Sequence, residues 1–136
     1  TPREAEKVWD CEPKDYLKAL TWDFVSAKPQ NISSNEEIKR AIIQYGSVVS
    51  MIFFDNCFFL YRDGVFNEEQ FIEGSHFVVI IGWDDEKEAW LIKNSHGKEW
   101  GKNGFGWIKY KSNNIGQWSA VVVADPEAEL QVKGEK

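Results

Sequence analysis

At Gly46 the spacing of apolar residues in this chain changes from helical to strand-like, and it does not change back. Before it, "SSNEEIKRAIIQYG" carries Ser34 and Glu37 at capping-box spacing, and Ile38, Ala41, Ile42 and Tyr45 fall on one helical face. Gly46 stands where a helix ends on a residue of positive φ. The spacing therefore predicts one main helix. After it come only short β-prone runs: "SVVSMIFF", "GVF", "HFVVIIGW", "AWLIKNS", "GFGWIKYK" and "SAVVVA". A helix that must bury one face, followed by strands that must do the same, implies an α+β fold: an antiparallel sheet or partial barrel with one main helix against it.

The charged "DDEKE" joins two of these runs as a hairpin. Pairing the runs about the middle of that loop brings His76 and Asn94 to the same open end of the ladder. Residues 1–30 read as an irregular N-terminal segment, interrupted by Pro2, Pro13 and Pro29, with a weak strand around Leu20, Trp22 and Phe24. Residues 31–125 form the β-rich body, and 126–136 a polar tail. With 136 residues and 43% hydrophobic content the chain is long enough for one domain with a core. The start at Thr1 suggests a processed chain or a fragment.

Several function classes are excluded on charge and pattern. A net charge of -6 argues against nucleic acid or an anionic membrane surface as partner, since either attracts a basic patch. The longest apolar run, "FVVIIGW", is far short of a membrane span. His76 and His96 with Asp84, Asp85 and Glu99 have no metal-ligand spacing, so no metal and no cofactor is expected. Ser75 and Ser95 lie in no nucleophile elbow. What remains is His76 at the head of the most apolar strand. An imidazole there titrates near working pH if a neighbour fixes its tautomer, and the amide oxygen of Asn94 could accept its N–H. Read blandly, His76 is a strand-edge histidine and Asn94 the start of a turn.

The run "GSHFVVIIGWDDEKEAWLIKNSHGKEWGKNGFGWIKY" resembles the C-terminal half of papain-like cysteine peptidases, where a histidine opens "HAVxxVGY" and an asparagine lies in "WxxKNSWGxxWGxxGYxxI". The match runs through His76, Gly82, Trp83, Trp90, Lys93, Asn94, Ser95, Gly97, Trp100, Gly101, Gly104 and Phe105, and upstream "GSVVSMIFFDNCFFLYRDGVF" is similar to the segment that follows the family's helix. The resemblance implies the right-hand, β lobe of that fold, with the strand in residues 1–30 crossing between lobes. It implies that His76 pairs with a catalytic thiol and that Asn94 orients it, because a thiolate–imidazolium pair is nucleophilic at neutral pH. It further implies active-site support from Ser95, His96 and Trp100, with Trp100 packed near the pair to exclude water. Gly74, Ser75 and Phe77 would bind peptide or protein substrate.

The chain departs from the family pattern at two points. His96 stands where the family has a Trp that covers the Asn–His hydrogen bond. The family's nucleophile lies ~130 or more residues before its histidine, whereas 75 residues precede His76. Cys11, in "VWDCEPKDY", and Cys57, 19 positions before His76 on a strand-and-loop segment, sit in no such setting. The expectation is a two-chain thiol protease: this chain as the His/Asn-bearing half, and an N-terminal helical lobe chain, separate or removed, supplying the catalytic Cys. Such proteins work outside the cell or in lysosomes or vacuoles. The alternative is a non-catalytic papain-like binding or pseudoenzyme module.

Overall fold

The computed structural model describes residues 19–67 and 73–124. Residues 22–122 form one compact unit; a second comprises residues 1–21 and 123–136, of which only the outer ends of two strands are described. The elements are β1 (Ala19–Phe24), α1 (Asn35–Tyr45), β2 (Val48–Phe54), α2 (Asn56–Leu60), β3 (Val65–Phe66), β4 (Gly74–Asp84), β5 (Ala89–Lys93), β6 (Phe105–Lys109), a short turn of 3-10 helix (Ser112–Asn114) and β7 (Gln117–Ala124). They make an α+β fold with one main helix and an open seven-stranded sheet in the order β1-β7-β2-β4-β5-β6-β3. The β2/β4, β2/β7, β4/β5 and β5/β6 pairs are antiparallel. One parallel pair, β3 with β6, makes the sheet mixed.

Helix α1 starts where its sequence says it must. The Ser34 side chain accepts from the Glu37 N–H while the Glu37 carboxylate accepts from the Ser34 N–H, so two orphan donors are satisfied reciprocally. Gly46, at φ 89°, closes the helix with its N–H on the Ile42 carbonyl. The face predicted to be apolar is buried: Ile38, Ala41 and Ile42 meet Val48 and Ile52 of β2, Val78 and Ile80 of β4, Trp90 and Ile92 of β5 and Ile108 of β6 in one core. Each fully buried aliphatic chain of this kind contributes roughly 1.5–3 kcal/mol. Tyr45, placed on the apolar face by its spacing, is 44% exposed instead, because it falls in the last turn beyond the sheet's cover.

The charged hairpin forms as its sequence predicts, with Asp84 accepting from the N–H groups of Glu86 and Lys87 to set the turn. It is also tied to α1. Lys39 Nζ reaches Asp85 at 2.7 Å and lies 5.7 Å over the Trp83 ring and 5.6 Å over the Tyr110 ring. The Tyr110 hydroxyl donates to the same Asp85 oxygen at 2.9 Å. No helix among the described residues is long and apolar enough to cross a membrane.

Candidate active site

Strand β4 carries His76 with its neighbours alternating across the sheet: Gly74, His76, Val78 and Ile80 share one face, and Ser75 and Phe77 the other. Whether Asn94 shares the face of His76 depends on register. On the hairpin side, Asp84 partners Ala89, Trp83 partners Trp90 and Gly82 partners Leu91; continued without interruption, that register sets Asn94 beside Val79, on the face opposite His76. A bulge between Ile80 and Gly82 inserts one unpaired residue, Ile81. Beyond it Ile80 partners Ile92 and Val79 partners Lys93, so Asn94 falls beside Val78 and on His76's face. Pairing about Glu86, the middle of "DDEKE", gives this far-end register, whereas the turn itself closes half a residue later. The bulge supplies the missing residue.

His76 Nε2 lies 2.8 Å from Asn94 Oδ1. The same oxygen accepts from the backbone N–H of Ser95 at 2.8 Å. A backbone N–H can only donate, so the atom it meets is the amide oxygen, and the amide cannot be turned round. His76 must therefore donate from Nε2, which leaves Nδ1 as acceptor in the neutral ring and as a second donor in the imidazolium. Ser95 contributes through its backbone rather than its hydroxyl. Asn94 itself is buried at 6% exposure, its own N–H bonded to the Gly104 carbonyl at 2.9 Å, and its Nδ2 has no hydrogen-bond partner among the described residues.

The His76 ring is half-buried among aromatic rings. Phe54 and Phe58 meet it edge-on at 6.3 and 6.0 Å, and His96 stacks on it at 5.1 Å with 29° between planes. Phe59 meets the His96 ring edge-on at 4.8 Å. Trp100 is 3% exposed and packs on Phe58 and Tyr61, each at 5.0 Å. Its partner Phe58 in turn meets the His76 ring. Glycines make room for these rings. A Cβ on Gly106 would stand 2.6 Å from Tyr61 and 2.8 Å from Trp100, and one on Gly101 would collide with the Phe105 carbonyl oxygen.

Cys57 is not on a strand-and-loop segment but in the first turn of α2, which sequence reasoning missed. Asp55 caps that helix, accepting from the N–H of Cys57 at 2.9 Å and of Phe58 at 3.3 Å. Cys57 is exposed and free; Cys11 lies outside the described residues. Phe54, Phe58 and Phe59 were likewise unmarked, the one local signal being an Asp ahead of an aromatic run. Of the expected substrate residues, Gly74 opens β4, while Ser75 and Phe77, the latter 54% exposed, project from the opposite face to His76. Among the described residues no three potential metal ligands cluster.

This arrangement can hold an imidazole in one tautomer with one nitrogen free, which is what general acid–base chemistry needs. The profile of the "Papain family cysteine protease" matches residues 2–124. The chain is 32% identical over 122 residues to "Cathepsin B-like cysteine proteinase 4" of Caenorhabditis elegans, covering 86% of this chain and 36% of that protein. It is 34% identical over 99 residues to "Zingipain-1" of Zingiber officinale, covering 70% of this chain and 43% of that one. Among solved structures, "proCathepsin B S9 from Trypanosoma congolense" superposes with a TM-score of 0.66 at 18% identity, over 80% of this chain and 37% of its own. The chain thus spans less than half the length of each of these proteins. It belongs to the papain family of cysteine proteases.

Proposed function

We propose that this chain is the histidine- and asparagine-bearing half of a cysteine peptidase, and that a helical lobe, on a separate or removed N-terminal chain, supplies the thiolate. The observation that carries the reading is the pair of bonds on Asn94 Oδ1, from His76 Nε2 and from the Ser95 N–H. With Nε2 committed, Nδ1 is the nitrogen available to a thiol. The thiol gives its proton to Nδ1, forming the thiolate–imidazolium pair. The thiolate sulfur bonds to the scissile carbonyl carbon, and Nδ1 returns the proton to the leaving amine as the C–N bond breaks. Water then attacks the thioester, Nδ1 takes its proton, and the acid departs as the thiolate is restored.

In this reading the backbone around Gly74 and Ser75 lines the substrate cleft, the exposed Phe77 narrows a side-chain pocket beside it, and Trp100 holds Phe58 against the imidazole. The setting extends to a secreted or lysosomal or vacuolar protein, supported by the likeness to cathepsin B-like proteinases.

One observation favours a second reading, a non-catalytic binding or pseudoenzyme module. The ring over His76 is His96, an exposed imidazole, where the family carries Trp. Purification separates the two readings. A co-purifying chain that carries a "CGSCW"-like stretch and reacts with a thiol-directed epoxide supports the peptidase. A lone, inert 15.7 kDa species favours the module. In the completed protein, His76→Ala should lower peptide hydrolysis by about 10²-fold or more; hydrolysis near the wild-type rate would overturn the role given to His76.

A further inference from the structure

Residues 31–33 read Asn-Ile-Ser, an Asn-x-Ser triplet without a central proline, and such a triplet occurs once in the chain. It is the acceptor for N-linked glycans in proteins that enter the secretory route. Asn31 stands where a glycan can be carried. Lys28, Pro29, Gln30 and Asn31 form a turn closed by the Asn31 N–H on the Lys28 carbonyl at 3.0 Å, with proline at the position whose φ it pre-sets. Asn31 is exposed, and its side-chain amide has no hydrogen-bond partner among the described residues. The third residue of the triplet is in the opposite state. Ser33 is 3% exposed, its hydroxyl lies 2.7 Å from that of Ser119 in β7, and its N–H donates to the Gly116 carbonyl at 3.0 Å. The same segment holds the carbonyls ahead of the triplet: the Trp118 N–H donates to Pro29 at 2.7 Å, and Gln117 Nε2 to Gln30 at 2.6 Å. The transferase reads the asparagine amide and the hydroxyl two residues on together. In the folded chain the first faces water and the second is buried against β7.

We propose that Asn31 is an N-glycan acceptor that stays open only until β7 is in place. The donor is a lipid-linked oligosaccharide. Asn31 Nδ2 gives up a proton to a base and bonds to the anomeric carbon of the first sugar. The bond from that carbon to the lipid diphosphate breaks, and the diphosphate leaves with the electron pair. The order of synthesis leaves time for this step. Ser119 follows Ser33 by 86 residues, which at roughly 5–20 residues per second takes roughly 4–17 s. Throughout that interval the strand that buries Ser33 does not yet exist. Once added, the glycan rides on an exposed turn and leaves the Ser33–Ser119 bond free to form. A bulky polar group there also keeps the turn in water, so in the completed protein the helical lobe meets the chain elsewhere.

For the natural protein the glycan rests on the secretory setting of the peptidase reading, but the acceptor itself does not, and one experiment separates them. The full chain behind a cleavable secretory leader is translated with endoplasmic-reticulum microsomes present. In a second arm the same chain, already folded, is added to permeabilised microsomes. The first should gain one glycan, removed by peptide N-glycosidase, which leaves aspartate at position 31 for mass spectrometry to find. The second should stay bare. Asn31→Gln and Ser33→Ala should each abolish the addition during synthesis, and Ser33→Thr should keep it. Gel mobility of the new chain reports the addition, so a variant that folds poorly still gives an answer. No glycan in either arm would overturn the proposal, and equal glycan in both would overturn its closure by folding. A chain glycosylated in microsomes yet bare in its own host would count against the secretory setting. Absence of hydrolysis in the completed protein would count against the peptidase reading, with the acceptor decided by the microsome arms.

Discussion

Trp100 donates its indole N–H to the carbonyl oxygen of Phe58 across 2.7 Å, and by that bond the turn after Asn94 is fastened to the short helix whose rings border His76. Trp100→Phe keeps most of the packing but removes this bond, leaving the Phe58 carbonyl only the longer bond from the Tyr61 N–H at 3.3 Å. It should lower stability by about 0.5–1.5 kcal/mol in urea or thermal unfolding of the full chain. It should also move the His76 imidazole signal, since Phe58 loses its anchor. An unchanged unfolding midpoint would show that the bond is dispensable.

Asn94 fixes both the tautomer and the direction of the His76 ring. In the completed protein, Asn94→Ala should reduce kcat about ten- to a hundredfold with a smaller change in KM, as expected when an orienting partner is lost. A change confined to KM would assign Asn94 to substrate binding instead.

Gly106 lies where the Tyr61 and Trp100 rings cross the backbone of β6. Gly106→Ala forces both rings aside and should cost about 1–3 kcal/mol, read from denaturant midpoints. Gly46→Ala is a useful contrast, because nothing stands within 4 Å of the added carbon and its cost comes from φ 89° alone.

The Lys39–Asp85–Tyr110 cluster makes stability depend on pH at both extremes. The hydrogen bond from Lys39, and then that from Tyr110, hold the Asp85 carboxyl below its ordinary range. A depressed carboxylate stabilises the fold above its unfolded value, near pH 4, and that support is lost as pH falls. Burial, and then the bond to Asp85, push the Tyr110 phenol up. A raised phenol stabilises below its unfolded value, near pH 10, and that support is lost as pH rises past it. Urea midpoints measured against pH should flatten on the acid side in Asp85→Asn and on the alkaline side in Tyr110→Phe. If both variants keep the wild-type profile, the cluster does not govern it.

What was legible in the sequence was whatever local chemistry dictates. The capping box at Ser34 and Glu37 set the start of α1, and the charges of "DDEKE" set the hairpin. His76 and Asn94 stood out because each ends a strong β-run. Helix α2 was hidden, because "NCFFL" is five residues of strand-prone aromatics after a strand, and one capping Asp is a faint signal beside them. The rings around His76 come from two stretches far apart in sequence, residues 54–59 and His96, so no single window of sequence contains their packing. His96 was visible as a substitution, yet its face-on stack against His76 is a tertiary fact. The lone Gly82 inside a strand was the one local hint of the bulge.

That bulge makes the site a matter of parity. Asn94 meets His76 because β4 holds one residue more than its partner between the hairpin and the His76 end. A relative could keep the histidine, the asparagine and every glycine, lose a single position near Ile81, and present its amide to the wrong side of the sheet. Substitution scores along an alignment would rate such a chain intact. A one-residue gap in this strand is therefore a further way, beside replacement of either partner, for a family member to lose the pair.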